Sequence, residues 1–191
     1  MKRKNIEKRL NLSLQKLFAK YTGDIGEKVI ERYLELKGFE ILDFWRAVEV
    51  VETSRRIELG YYKHPAYEEY RDEIYQKVKD FKDFLGEKFN AFKDYLDAWS
   101  RDADTPSGKY FQPRPGQTIR VGGRSTGFGF DFIGKKDNQF FMIEVKTNRA
   151  RLLGYQRKML IRAKDFGFVP LLIRVNVNIE APFERIQITK F

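Results

Sequence analysis

Two apolar segments separated by a short polar stretch constrain this chain more than any other feature. The first segment begins Asp131-Phe132-Ile133-Gly134, and the second reads Phe140-Phe141-Met142-Ile143-Glu144-Val145-Lys146. Residues 134–138 predict a tight turn, so the two segments are expected to pair as a β-hairpin. Asp131 and Glu144 are 13 residues apart, and such a hairpin brings their carboxylates close together.

The alternation of side chains along a strand predicts which residues share a face. Glu144 and Lys146 are expected on one face, and Ile143 and Val145 on the other, buried face. An acid and a lysine two residues apart also occur on many sheets as a solvated ion pair. Asp131 on the neighbouring strand favours a site instead, because Mg²⁺ prefers a couple of carboxylates, retained waters and phosphate oxygens.

A third acidic residue, Glu27, lies near the start of a predicted amphipathic helix that Gly38 ends before a strand. With these residues the chain resembles the PD-(D/E)xK nucleases, most closely the archaeal Holliday junction resolvases. In that family an early helix carries a glutamate, Gly-Phe marks its end, and an aspartate and a Glu-x-Lys motif occupy the next two strands. The resemblance covers residues 22–43 and 128–176, including Phe166-Gly167-Phe168-Val169-Pro170 before a closing strand.

Two departures from the family pattern are visible. Phe130 replaces the proline that names the superfamily, and the stretch between Asp43 and Asp131 is much longer than the family core needs. The resemblance implies an α/β, restriction-endonuclease-like core (αβββαβ) whose mixed central sheet is flanked by helices, with an α-helical insertion. We expect one domain over 1–191, with its core at 22–45 and 128–191 and the insertion at about 46–127.

The resemblance also implies roles for individual residues. Asp131, Glu144 and the Val145 carbonyl would bind Mg²⁺, for which Mn²⁺ can substitute, and Lys146 would hold and activate the attacking water. Glu27 would orient the water shell of the metal or bind a second ion. Gln156 lies in the first turn of a helix predicted at about 153–166, where the wider superfamily often has a glutamine or lysine near the site; a surface glutamine is the alternative. The expected catalytic residues are therefore Glu27, Asp131, Glu144, Lys146 and Gln156.

Composition excludes several other chemistries. The chain has no cysteine and one histidine, His64, which excludes cysteine nucleophiles, zinc fingers and histidine-metal nucleases. It has no Walker pattern, so no nucleotide cofactor is expected. No run of about 18 apolar residues and no signal peptide are present. A cytoplasmic protein without a membrane partner is expected, in the host cytoplasm if the source is a virus; the resemblance suggests an archaeon or an archaeal virus.

The net charge of +10 is concentrated in three blocks at residues 1–20, 109–124 and 144–174. Two of them lie close in sequence to the proposed site, as in proteins that neutralise DNA phosphates, although a basic block can also be a solubilising face. The candidate DNA-binding residues are Arg114, Arg120, Arg124, Arg149, Arg151, Arg157 and Lys158.

Three further segments carry structural expectations. Residues 1–20 have the pattern of a basic amphipathic helix, either facing DNA or simply docked on the core, with a membrane-surface helix as a third option. An aromatic stripe over residues 67–99 predicts one long helix, or two with a break near Gly86, packed partly on a second subunit. Residues 106–129 are expected to form a loop that clamps the substrate, or an ordinary connector.

The function expected from these features is metal-dependent hydrolysis of DNA phosphodiester bonds by a structure-selective endonuclease similar to the Holliday junction resolvases. The partners would be DNA, possibly branched, and a second copy of the chain, because two sites related by a two-fold axis cut two strands most simply. Two alternatives stay open: a catalytically inactive DNA-binding protein on a nuclease fold, and a restriction or repair nuclease with a different substrate.

Overall fold

A computed structural model describes residues 21–101, 130–177 and 185–190. Within these ranges one mixed sheet has the strand order β1-β2-β3-β4-β5. The β3–β4 pair is parallel, and the other neighbouring pairs are antiparallel. The strands are β1 (Glu40–Asp43), β2 (Phe132–Lys136), β3 (Gln139–Thr147), β4 (Val169–Asn176) and β5 (Arg185–Lys190).

Helices flank this sheet, so the chain is of the mixed α/β class. Helix α1 is helical over residues 21–36, and Gly38 follows it with a left-handed φ of 81°, which confirms the predicted helix end. The other α-helices of the described ranges are α2 (Phe44–Glu58), α3 (Arg71–Leu85), α4 (Lys88–Arg101) and α5 (Gly154–Ala163). Short 3-10 segments are Tyr61–Lys63, Pro65–Tyr70 and Lys164–Phe166.

The sheet separates two apolar clusters. On one face, Ile30 and Leu34 of α1 pack with the strand residues Ile143 and Val145. On the other face, α2, α3, α4 and α5 pack around strand residues such as Met142. Successive residues of β3 thus alternate between the two clusters, as the sequence predicted. Glu144 and Lys146 consequently belong to the face that α5 covers.

The predicted hairpin between β2 and β3 is present, but its turn is shorter than expected. Asp137 and Asn138 form it with φ values of 49° and 59°, a pair of left-handed residues that suits a two-residue hairpin loop. Gly134 was wrongly assigned to the turn, since it lies within β2. A Cβ at Gly134 would lie 3.0 Å from Ile143 Cδ1 and 3.3 Å from Phe39 Cδ1, so close packing explains this glycine.

The insertion between β1 and β2 contains α2, α3 and α4. Asp43 caps α2 by accepting a hydrogen bond from the Arg46 backbone N–H at 2.9 Å. The aromatic stripe forms two helices with a break at Gly86, where φ is 51°, as one of the two alternatives predicted. The chain itself buries much of this stripe, and packing of the remainder on a second subunit stays a prediction. The buried stripe residues are Val78, Phe81, Leu85, Phe89, Phe92 and Trp99.

The remaining sequence predictions fall into two groups. The helix predicted at about 153–166 is confirmed as α5 and the 3-10 turn after it, and the predicted closing strand is confirmed as β4. The basic segment 1–20 and the loop 106–129 lie outside the described residues. In the described part of the chain, no helix is both long enough and apolar enough to cross a membrane.

Candidate active site

Asp131 lies at the entrance to β2, and its main chain is fixed from two sides. Its N–H donates to the Ile143 carbonyl at 3.0 Å, and its carbonyl accepts the N–H of Phe44 at 3.1 Å. The register pairs Phe132 with Ile143, which places Asp131 opposite Glu144. The start of α2 and the end of β3 therefore hold this aspartate together.

The Asp131 side chain is bound across the end of β3. Its Oδ2 accepts the backbone N–H of Val145 at 2.5 Å. This hydrogen bond holds the carboxylate beside the peptide that joins Glu144 to Val145. Asp131 and Glu144, the two acids predicted from the sequence, are therefore linked by this backbone hydrogen bond and also lie close to each other.

Glu144 is the most enclosed charged residue of the site, with 2% of its side chain exposed. Its Oε1 accepts hydrogen bonds from Lys146 Nζ and from Gln156 Nε2, the latter at 2.8 Å. Its Oε2 is buried and has no hydrogen-bond partner among the described residues. A buried carboxylate oxygen without a donor is costly, and one that faces a cation is not.

Gln156 is held at both ends of its amide. Its Oε1 accepts the backbone N–H of Leu153 at 3.1 Å, at the start of α5, while its Nε2 donates to Glu144. The glutamine is buried. It therefore fixes the orientation of Glu144 relative to α5, a task that a surface glutamine would not perform, and the surface alternative is wrong.

Glu27 reaches the site from the opposite face of the sheet. The preceding residue, Gly26, is buried and packs so closely on Thr147 that a Cβ there would overlap the Thr147 Cγ2 atom. This close approach seats α1 on the end of β3. The charge of Glu27 is near enough to raise the pKa of both Asp131 and Glu144.

The two central carboxyl groups have strongly altered protonation equilibria. Burial is the largest cause of the rise in the Asp131 pKa well above its ordinary value, and the charges of Glu144 and Glu27 add to it. Burial likewise raises the pKa of Glu144 to about 7, although Lys146 acts in the opposite direction. Three acids around one lysine are therefore short of positive charge, and a cation between them would favour their ionised forms.

The two carboxylates of the site fit magnesium, which needs few ligands from a protein. In the described ranges no group of three or more His, Cys, Asp and Glu side chains is gathered as a metal site. Magnesium requires fewer protein ligands than three, since it keeps several waters and binds one or two carboxylates together with phosphate oxygens. The buried, unpartnered Glu144 Oε2 is the atom that such an ion would satisfy.

Four of the predicted catalytic residues, Asp131, Glu144, Lys146 and Gln156, are held together by hydrogen bonds at the end of β3. The fifth, Glu27, is near enough for its charge to raise the pKa of Asp131 and Glu144. Among the predicted DNA-binding residues, Arg149 and Arg151 are exposed on the β3–α5 connection, and Arg157 and Lys158 are exposed on α5. Arg114, Arg120 and Arg124 lie outside the described residues.

Two further residues belong to this site and were missed by sequence reasoning. Burial and the charge of Glu144 raise the pKa of Tyr155, which precedes Gln156 on α5. Arg174 on β4 is paired in register with Lys146 on β3. The alternation of residues 171–175 gives the face of Arg174, but only the parallel register shows that it lies beside Lys146.

In comparisons with known proteins, no protein family matches this chain, and neither does any curated protein or any solved structure. Its function is therefore inferred from the residues of the site and their geometry.

Proposed function

We propose that this protein is a magnesium-dependent endodeoxyribonuclease of the PD-(D/E)xK type. The observation that carries the proposal is the convergence of Asp131, Glu144 and Lys146 at the end of β3, with the buried Oε2 of Glu144 left without a partner. Buried carboxylate oxygens without a hydrogen-bond donor are unfavourable in a purely structural ion pair. They are well suited to a divalent cation.

The order of the elements supports a restriction-endonuclease-like core. Helix α1, strands β1, β2 and β3, helix α5 and strand β4 follow one another as αβββαβ, the order that the family resemblance implies. Helices α2, α3 and α4 are inserted between β1 and β2, so the insertion leaves this order unchanged.

Each side chain has a role in the proposed hydrolysis. Asp131, Glu144 and the Val145 carbonyl would hold the ion, which supplies Lewis acidity and lowers the pKa of a bound water. Lys146 is 15% exposed, so its ammonium lies between the buried acid and the surface. There it can orient the attacking water and offset the charge of the scissile phosphate. Gln156 keeps Glu144 in position, and Glu27 orients water on the α1 side.

The basic residues around the site support DNA as the substrate. Arg149, Arg151, Arg157 and Lys158 are exposed on the connection and helix that follow β3. Positive charge of this kind neutralises phosphates and releases counterions. A two-fold symmetric dimer is proposed because two sites cut two strands most simply, and a branched substrate is proposed from the resemblance to the Holliday junction resolvases.

A cleavage panel tests this proposal. Purified protein is incubated with labelled four-way junction, flap, single-stranded and linear duplex DNA, with Mg²⁺, Mn²⁺ or EDTA, and Glu144→Ala is assayed in parallel. We expect symmetric nicks in the junction that require metal and are absent with the variant. Cleavage of linear duplex would instead support a restriction or repair nuclease. Tight binding without cleavage under any metal would support an inactive DNA-binding protein.

A further inference from the structure

Arg174 is a half-buried cation beside the site, and no acid of the described residues neutralises it. Its Nη1 donates to the Ala150 carbonyl at 3.2 Å, which occupies one of the five N–H donors of the guanidinium. No carboxylate of the described residues lies within ion-pair distance of it. Lys146, in contrast, is paired with Glu144. The planar arginine head thus retains most of its donors for an external anion.

The position of Arg174 follows from the sheet. Leu171, Ile173 and Val175 of β4 pack in the cluster beneath α1, so Arg174 belongs to the opposite face, which also carries Glu144 and Lys146. The parallel register pairs it with Lys146. Two cations therefore stand side by side on adjacent strands, and among the described residues only Lys146 has a counter-ion.

The hydrogen bond to Ala150 also connects Arg174 to the segment between β3 and α5. Arg149 and Arg151, on either side of Ala150, are both exposed. The arginine head is thus held at the base of a basic segment that borders the site. A guanidinium fixed in this way loses little side-chain freedom when it binds a phosphate, and its fork matches two phosphate oxygens.

From these contacts we infer that Arg174 forms a second phosphate-binding position, which takes the phosphodiester group next to the one that is cleaved. Neighbouring strands of a sheet lie about 4.8 Å apart, and the long side chains of Lys146 and Arg174 can place their charged ends further apart than this, over two phosphates of one DNA strand. Lys146 and Arg174 can therefore contact consecutive phosphates of one strand. This inference rests on the proposed function, because it requires the scissile phosphate to lie at Lys146.

Neutral phosphates provide the test. DNA that the protein cuts is prepared with a single methylphosphonate at the cleaved phosphate or at each of its neighbours in turn. Dissociation constants are measured in Ca²⁺, with wild type, Arg174→Met and Arg32→Met. Arg32 is an exposed arginine of α1 that pairs with Glu35, so its variant controls for the loss of one positive charge.

We expect Arg174→Met to weaken binding of unmodified DNA roughly tenfold, and Arg32→Met to change it little. A methylphosphonate next to the cleaved position should weaken wild-type binding by a similar factor and should have no further effect on Arg174→Met. Arg174→Lys should show an intermediate loss of DNA affinity that depends on the same neighbouring phosphate. It is used in place of Arg174→Met if the methionine variant does not fold.

Three outcomes would overturn the inference. Arg174→Met and Arg174→Lys could bind every DNA as tightly as the wild type does. Their losses of affinity could instead add to the loss caused by each methylphosphonate. The non-additive loss could also appear at the cleaved phosphate itself. In each case the wild type still cuts DNA, so the proposed function survives. A wild-type protein that neither binds nor cuts DNA would remove both proposals together.

Discussion

At the scale of single residues, burial of the Glu144 carboxylate is the most unfavourable feature of the site. It is buried, its Oε2 has no partner among the described residues, and its pKa is raised to about 7. A buried group of this kind lowers the stability of the folded protein when it ionises. The metal-free folded protein should therefore be least stable at the neutral and alkaline pH at which a nuclease of this type would bind its metal.

This reasoning predicts how stability depends on pH. In EDTA the folded protein binds more protons than the unfolded chain between the ordinary glutamate pKa of 4.5 and the folded value of about 7. The free energy of unfolding should therefore fall as the pH rises through this range. One pKa unit corresponds to ~1.4 kcal/mol, so the expected loss is on the order of 3 kcal/mol from pH 5 to pH 8. Denaturant unfolding at a series of pH values measures it.

Two variants separate Glu144 from the rest of the protein. Glu144→Gln should reduce the pH dependence and leave the part that the buried Asp131 contributes, whereas Glu40→Gln, at an exposed position of β1, should leave it unchanged. Addition of Mg²⁺ at pH 8 should restore stability to the wild type much more than to Glu144→Gln. A wild-type protein that becomes more stable from pH 5 to pH 8 in EDTA would contradict the burial of an uncompensated acid.

Gln156 gives a second prediction at this scale. Gln156→Ala removes the donor to Glu144 Oε1 and leaves the Leu153 N–H without its acceptor. Loss of a residue that orients a metal ligand typically costs about 10-fold to 100-fold in metal affinity or activity. We expect the cleavage rate to fall by this factor and the Mg²⁺ midpoint to rise, with DNA affinity retained.

The matched control for Gln156→Ala lies on the same helix. Ile161→Ala removes a side chain that is 52% exposed on α5, and it should leave the Mg²⁺ midpoint unchanged. An equal loss of rate in both variants, with unaltered metal dependence, would show that Gln156 only supports the helix.

At the scale of the elements, the contact between α1 and the end of β3 decides where Glu27 lies. Gly26 packs on Thr147, and a Cβ there would also lie 3.2 Å from Val175 Cγ1. In an open helix, a change from glycine to alanine gains about 1 kcal/mol. Forcing a methyl group into a packed interface costs roughly 1–3 kcal/mol. The second effect should prevail at Gly26, since strand residues block the position.

Gly26→Ala is therefore predicted to destabilise the protein and to lower its cleavage rate. Gly23→Ala is the matched control in the same helix, because a Cβ at Gly23 meets no atom of the described residues within 4 Å and should stabilise the protein. Thr147→Ser removes the overlapping methyl group and should restore part of the stability of Gly26→Ala. Thermal unfolding of these three single variants and of the double variant Gly26→Ala/Thr147→Ser tests the contact, and stabilisation by Gly26→Ala would show that α1 does not rest on β3 in this way.

Much of the element order was predictable, because periodicity and turn residues act locally. The alternation of residues 140–146 predicted β3 and its two faces, and Gly38 and Gly86 marked real breaks. The sequence did not show that Gly134 lies within a strand, since that glycine is required by packing on Phe39 and Ile143. It also did not show the partner of the aromatic stripe, because a buried helix face has the same pattern whether its own chain or another chain covers it.

For the site as well, the local features could be predicted from the sequence and the non-local ones could not. The spacing of Asp131, Glu144 and Lys146 follows from one hairpin, which is a local feature. The hydrogen bond from Gln156 to Glu144 depends on how α5 docks, and the place of Arg174 depends on the parallel register of β3 and β4. Both are non-local, so residue spacing alone does not contain them.

At the scale of the whole molecule, one sheet separates the face that carries the candidate site from a supporting face. Helix α1 and its cluster support β3 from one side, and α5 closes over Glu144 on the other. The basic residues of the β3–α5 connection and of α5 are exposed around this site. Chemistry and DNA affinity should therefore reside in different groups, and they should be separable by substitution.

That separation is tested most directly with Glu144→Ala on the DNA that the wild type cuts. Single-turnover cleavage in Mg²⁺ and the dissociation constant in Ca²⁺ are measured for wild type, Glu144→Ala and the exposed-site control Glu40→Ala. We predict that Glu144→Ala abolishes cleavage while its DNA affinity stays within about threefold of wild type, a change of less than 1 kcal/mol. A parallel fall of cleavage and binding in Glu144→Ala would contradict the assignment of Glu144 as a catalytic metal ligand.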